Sequence, residues 1–392
     1  MIEQLTELHP QMVEIRRNFH MYPELSFTEE KTPAFIAEYL SKLGNVEVRK
    51  NVGERGVVGI VRGKGPGRTV ALRADFDALE LQDEKDVPYK SRVPGIMHAC
   101  GHDCHAAALL GVANVLSKNT GSFNGEVRMI FQHAEECAPG GAIAMIRDGC
   151  LDGVDAIFGT HVTSRMPVGL YGYRVGSFMA IADKFTINIQ GRGGHGASPH
   201  ETVDSIVVAA NLIVNLQTIV SRRVNPMSQA VVSVGRIEAG SAFNVIADVA
   251  KIGGTVRTFD KSVQEMVMEN LERVTKGCCD AAGATYTLDY EKGYPAVKNT
   301  QAETEMAVES LAKVVGRQAV IELDPLMGGE DFSYYLEKVP GSFLYTGGGN
   351  AEKGIVYAHH HPKFDVDEDS ILYASKGMLA IALDYLSRLE PV

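Results

Sequence analysis

The residues best suited to chemistry occupy eight consecutive positions, His98-Ala99-Cys100-Gly101-His102-Asp103-Cys104-His105. They hold three of the twelve histidines and two of the six cysteines. Imidazole and thiolate are natural ligands of zinc and other transition metals. Cys100 and His102 stand two apart, so an extended backbone would point both to one side. His105 reads as the start of the helix that follows, where it caps or packs. A closed structural zinc site would need a second CxxC or HxxxH pair nearby, and none follows. Further ligands must come from elsewhere in the chain.

Two candidates stand at the ends of predicted strands. Residues 126–131 (EVRMIF) lead into Gln132-His133-Ala134-Glu135-Glu136, and residues 155–160 lead into His161. Open α/β sheets build their sites beyond the carboxyl ends of strands. Adjacent glutamates there are costly to bury unless a cation pairs with them. One can ligate metal while the other acts as a base. His359-His360-His361-Pro362 precedes the last helix, and one of the three is a further candidate that spacing does not select. Asp75 and Asp77 end the strand over 69–73, where they orient histidine ligands or cap a turn. His195 lies in a glycine-rich stretch, 191–199, which alone reads as an ordinary loop. No GxSxG elbow and no HExxH helix occurs.

These residues need elements to position them. Residues 2–19 and 33–43 have helical spacing, and 105–116 form an Ala/Leu-rich helix. Residues 56–61, 69–73, 126–131 and 155–160 are short apolar runs of strand type. Strands alternating with helices predict an α/β fold with a mostly parallel sheet. The glycine runs at 63–67 and 347–349 read as turn and loop. The middle differs: strand 184–190, helix 203–220, strands 229–237 and 248–257, helix 263–278, strand 285–290. That order, βαββαβ, is the ferredoxin-like split βαβ unit. The expected organisation is one domain, residues 1–181 and 294–392, interrupted by another at 182–293.

Composition narrows the partners. The chain has 392 residues, 45% apolar and 22% charged, as expected of a folded globular protein. Its net charge of −11 argues against nucleic acid and anionic membranes. The start, MIEQLTELHP, has no basic then apolar segment of the signal-peptide kind. No stretch is read as approaching the ~18 uncharged apolar residues of a membrane span. Six cysteines in such a chain suit a reduced, cytoplasmic setting.

The motifs resemble the M20 metallopeptidase family, in particular its amidohydrolase branch of hippurate hydrolases, aminoacylases and auxin-conjugate hydrolases. The matching stretches are RRNFHMYPELS from Arg16, RADFDAL from Arg73, MHACGHDCH from Met97, FQHAEE from Phe131, GTH from Gly159, the 191–199 turn, NVIAD from Asn244, GTVR from Gly254, GEDF from Gly329, and His360 to Phe364. MHACGHD with a downstream AEE is highly specific. His133 and Ala247 stand where the family usually has proline, as does Glu80 after Asp-Ala-Leu, and none of these removes a ligand or the base.

The resemblance implies an α/β metal domain with an inserted ferredoxin-like lid and dimerisation domain. By position it implies Cys100, His102, Glu136, His161 and His360 as metal ligands and Glu135 as general acid/base. Here the histidine two residues before the proline is chosen, which is His360. It implies that His195 reaches the partner subunit's active site and that Asn244 and Arg257 help bind substrate. Five ligands, one a thiolate able to bridge, suit two divalent ions: manganese or zinc first, then nickel or cobalt. The expected substrate is a small N-acyl amino acid, with a dipeptidase or aminopeptidase of the same metal chemistry, or a non-catalytic metal-binding protein, as rivals. A homodimer through the lid, or a tetramer, is the expected assembly.

Overall fold

Three segments, Gly56–Arg62, Thr69–Asp75 and Glu126–Gln132, are rich in Val, Ile and Leu. Near-continuous apolar runs of this kind belong to strands covered on both faces. In the computed structural model, which describes residues 1–388, each is buried along almost its whole length.

The chain divides into two compact units. Among the described residues the first comprises Met1–Phe178, Lys298–Asp324 and residues 331–388. Its strands are β1 Glu47–Val52, β2 Gly56–Arg62, β3 Thr69–Asp75, β4 Glu126–Gln132, β5 Ala156–Pro167 and β6 Tyr171–Tyr173. The second unit contributes β7 Ile181–Gln190, β8 Gly194–His195, β9 Ala230–Ala239, β10 Val245–Ile246, β11 Val249–Thr258 and β12 Thr285–Tyr294. The chain then returns to the first unit with β13 Val320–Glu322 and β14 Gly341–Gly349.

The first unit's sheet has the order β1-β2-β4-β3-β5-β14-β6-β13. Its centre is parallel, with β4, β3, β5 and β14 running together. Antiparallel pairs join β1 to β2, β2 to β4 and β14 to β6. The fold is therefore α/β with a mostly parallel sheet. Helices α1 Ile2–Met21, α2 Lys31–Lys42 and α3 His102–Lys118 precede β4 in the chain. Helix α3 is buried from His102 to Ser117, so it is a core helix, with His102, Asp103 and His105 in its first turn as buried polar groups.

Three sequence expectations change here. Helix α3 begins at His102 rather than at 105, after Gly101 takes a left-handed φ of 95°. Cys100 and His102 are therefore not two residues of one extended piece. Strand β5 does not stop at 160. It runs to Pro167, because pairing with β14 continues to Thr163 and, after a register shift, resumes at Pro167, and His161 sits inside the strand opposite Tyr345. The glycines at 347–349 are buried in β14, not in a loop. A side chain at Gly347 would meet the Pro167 carbonyl at 1.9 Å, and one at Gly349 the Ser164 carbonyl at 2.2 Å. Glycine is used there for close approach between strands, not for turning.

The second unit comprises Met179–Val297 with Pro325–Glu330. Its four-stranded antiparallel sheet has the order β9-β11-β7-β12. Helices α4 Ser205–Arg222 and α5 Lys261–Ala282 complete a βαββαβ unit. Inward residues of β7, Phe185, Ile187 and Ile189, meet Leu212 and Leu216 of α4 and Leu271 of α5 in one core. By length and composition α4 is long and apolar enough to cross a membrane, contrary to the sequence reading. Its buried face, Val208, Leu212, Leu216 and Ile219, belongs to this core. The last helices are α6 Gln301–Val315 and α7 Asp369–Ser387, both in the first unit.

Candidate metal centre

The centre grows from the ends of β3 and β4, the start of α3, the middle of β5 and the 359–368 loop. Gly101 lets Cys100 and His102 converge; a side chain at Gly101 would lie 2.4 Å from Val162 Cγ2. The donor atoms of Cys100, His102 and His161 lie within 4.8 Å of one another. So do those of Cys100, Glu136 and His360, and those of His102, Glu135 and Glu136. Two triads thus share Cys100.

The imidazoles of His102 and His161 are each fixed by Nδ1 and present Nε2. His102 Nδ1 donates toward Asp77, 3.1 Å from both the carbonyl and Oδ1. Its Nε2 is buried without a hydrogen-bond partner among the described residues. Around that Nε2 stand Asp75 Oδ2 at 3.7 Å, Glu135 Oε2 at 3.9 Å and Glu136 Oε1 at 3.9 Å. His161 Nδ1 donates to the Val162 carbonyl at 2.8 Å, and its Nε2 faces Cys100 Sγ at 3.4 Å. His360 has φ 62° and is tied by its N–H to the Ala99 carbonyl at 2.8 Å. Its Nε2 lies 3.3 Å from Glu136 Oε1, a buried atom that has no hydrogen-bond partner among the described residues. Fixing one ring nitrogen so that the other faces inward is how proteins prepare histidine for a metal.

The electrostatics agree. Burial alone would lower the His102 pKa, but Asp75, Asp77 and Glu136 push it up to about 10. Burial, with Glu136 and Glu135 nearby, holds the Cys100 thiol well above its ordinary range. Burial and the neighbouring His105 and His359 keep His161 neutral. The cluster therefore calls for positive charge at its centre, and its S, N and O donors fit a divalent cation. Carboxylates buried this close together are unfavourable unless positive charge compensates them, as Arg73 does for Asp75.

Asp75 and Asp77 take different positions. Asp77 Oδ2 accepts the Glu136 N–H at 2.9 Å, so Asp77 holds both His102 and the Glu135-Glu136 turn. Asp75 binds Arg73 Nη1 at 2.5 Å and His105 Nδ1 at 2.5 Å. Burial would raise the Asp75 pKa, but Arg73, His102 and His105 hold it well below the usual range.

His105, given only a packing role by the sequence, closes this chain. Its Nε2 accepts the Val162 N–H at 2.9 Å, so Nδ1 carries the proton donated to Asp75. Arg73, Asp75 and His105 thus fix the backbone beside His161. Arg73 and Asp75 share a strand face by the period of two, a signal present in the RADFD sequence. A second set had no local signal: Arg16 donates to Asp103 at 2.8 Å and to Asp365 at 2.7 Å. That pair ties α1 to the start of α3 and to the loop after His360.

In the second unit, β8 and β10 form a two-stranded ribbon with His195 opposite Val245. His195 and Asn244 are exposed, and the Asn244 carbonyl accepts the Gly196 N–H at 2.9 Å. His195 Nδ1 accepts the Ala197 N–H at 3.0 Å. Arg257, on β11, is not drawn to this ribbon. Its guanidinium donates to the Asp183 and Val256 carbonyls and to Thr255 Oγ1.

Comparison with known proteins places this arrangement. The model of peptidase family M20/M25/M40 matches residues 71–384. The Bacillus subtilis (strain 168) protein named "Putative amidohydrolase YhaA" is 54% identical over 383 residues, 98% of this chain and 96% of its own. A Geobacillus stearothermophilus protein named N-acyl-L-amino acid amidohydrolase is 45% identical over 293 residues, 75% of this chain and 79% of its own. The crystal structure of Bacillus subtilis YXEP, described as a dinuclear metal binding peptidase from the M20 family, superposes with a TM-score of 0.85. It is 35% identical and covers 98% of this chain and 100% of its own. Fold, centre and relatives define the class: an enzyme that hydrolyses amide bonds. The chain belongs to peptidase family M20/M25/M40.

Proposed function

We propose that this chain hydrolyses the amide bond of N-acyl amino acids, with Glu135 as the proton carrier. The observation that carries the reading is the buried, unpartnered His102 Nε2, held among the carboxylates of Asp75, Glu135 and Glu136. Cys100, His102, Glu136, His161 and His360 would hold two divalent ions, with Cys100 shared between two triads of donors. Manganese or zinc fits this mixed donor set best, with nickel or cobalt next. The ions would polarise the scissile carbonyl and make water acidic enough to attack at neutral pH.

The chain's own groups then divide the work. Glu135 takes a proton from water and returns it to the leaving nitrogen. Asp77 holds His102 and the Glu136 amide, so Glu135 and its neighbour stay in fixed directions. Asp75, through His105, holds the strand at His161. His195 stabilises the developing oxyanion from the ribbon of a partner subunit, and Asn244 beside it binds the substrate carboxylate. For Arg257 to join them, its guanidinium must exchange its bonds to Asp183, Thr255 and Val256. The inserted unit suits a dimer interface. Its sheet ends in the edge strand β9, and Val207 and Val214 of α4 are exposed.

The name of one relative favours N-acyl amino acids, whereas the description of the superposed structure says peptidase. The test is a paired assay on the metal-loaded enzyme. N-acetyl amino acids and dipeptides with the same C-terminal residue are compared. The expected result is at least about tenfold higher kcat/KM for the acylated series. Faster turnover of dipeptides, lost when their amine is blocked, would make the enzyme a dipeptidase.

A further inference from the structure

The chain must turn sharply where it leaves β4, and the turn is strained. Ala134, the residue before Glu135, has φ 52°, a left-handed conformation that non-glycine residues rarely adopt. It is fully buried, so its N–H needs an acceptor inside the protein. That acceptor is Glu29 Oε1 at 2.8 Å. On the other side, the Ala134 carbonyl accepts the Gly141 N–H at 3.1 Å.

Glu29 is itself fully buried and arrives from a distant part of the chain, the turn before α2. Its own carbonyl accepts from Arg55 Nη1 at 2.7 Å. The rest of that turn reaches the same place. Ser26 Oγ donates to Asp77 Oδ2 at 2.7 Å, the oxygen that also accepts the Glu136 N–H. The ring of Phe27 meets that of His133 edge-on, with centroids 6.2 Å apart. Residues 26–29 thus contact 133 and 134 directly and 136 through Asp77.

Resting on the role of Glu135 given above, we propose that Glu29 is a positioning residue. Its carboxyl grips the Ala134 N–H and so sets the directions in which Glu135 and Glu136 leave the strand. The role needs an acceptor at the right reach rather than a charge. Glu29 Oε2 is buried without a hydrogen-bond partner among the described residues, and burial pushes the carboxyl up to about 7. An amide of the same length keeps the acceptor; a shorter carboxylate withdraws it.

The test compares E29Q, E29D and E29A with E135Q in the full, metal-loaded chain, reading kcat, KM and metal content with an N-acetyl amino acid. E29Q is expected within about threefold of wild-type kcat and E29D about tenfold below. E29A should fall about 30- to 100-fold, with KM within about twofold and bound metal unchanged. E29A turning over like wild type, or E29Q as impaired as E29A, would overturn the proposal. Should E29A fail to fold, the other pair decides: Gln above Asp supports it, and Asp equal to or above Gln overturns it. E135Q separates the two readings. An active E135Q removes the Glu135 role, whereas an inactive E135Q beside a fully active E29A removes Glu29 alone.

Discussion

The two units treat their functional side chains in opposite ways. In the first, Cys100, His102 and His161 are buried, and each histidine has one nitrogen committed to an oxygen. In the second, His195 stands exposed on a ribbon whose strands are two residues long. Buried charge must be compensated, so the centre carries a dense set of partners and is rigid as a consequence. On the ribbon, His195 Nδ1 is held only by the neighbouring Ala197 N–H, and the side chain faces solvent. The difference separates a preformed centre from an adaptable contact, and substitutions should separate them too.

Removing metal is the largest perturbation. Dialysis against a chelator should abolish turnover, about 10³-fold or more, with recovery when manganese or zinc is restored. Full activity in metal-free protein would break the account of the centre. H195A comes next. It should lower kcat about 10²- to 10³-fold, while the melting temperature stays within about 1 °C and metal content is unchanged. Loss of metal in H195A would erase the contrast between the units. D75N should act through His105 and His161 and weaken metal affinity about 10- to 100-fold, read by competition with a chelator. The smallest effect concerns stability. Burial raises the Glu29 carboxyl from its ordinary 4.5 to about 7, so between those values the folded chain binds more protons than the unfolded one. Stability contributed by Glu29 therefore falls as pH rises through that window and levels off above it. E29Q lacks this term and should gain on wild type by on the order of 2 kcal/mol between pH 4.5 and 7. An unchanging difference in urea midpoints would show that Glu29 is not buried as described.

Much of the centre was legible because its residues are chemically unusual and lie close in sequence. Five Cys and His in eight positions are hard to read as anything but a metal segment. Adjacent glutamates after an apolar strand point the same way. What the sequence concealed was contact between distant segments. His105 looks like a helix-start residue, yet its partners are Asp75, thirty residues earlier, and the amide of Val162. His161 seemed to follow a strand because the apolar run weakens there; pairing with β14 carries the strand past it. Three successive glycines mimic a loop, and only the crowding between β5 and β14 explains them as strand. The alternating strands and amphipathic helices of the second unit were readable because its core is built on simple periods.

One measurement bears most directly on the central claim: metal content and turnover determined on the same preparations of wild type and E135Q. The account predicts about two divalent ions per chain in both proteins, and hydrolysis of an N-acyl amino acid about 10³-fold or more slower in E135Q. E135Q within tenfold of wild type, with metal intact, would contradict it.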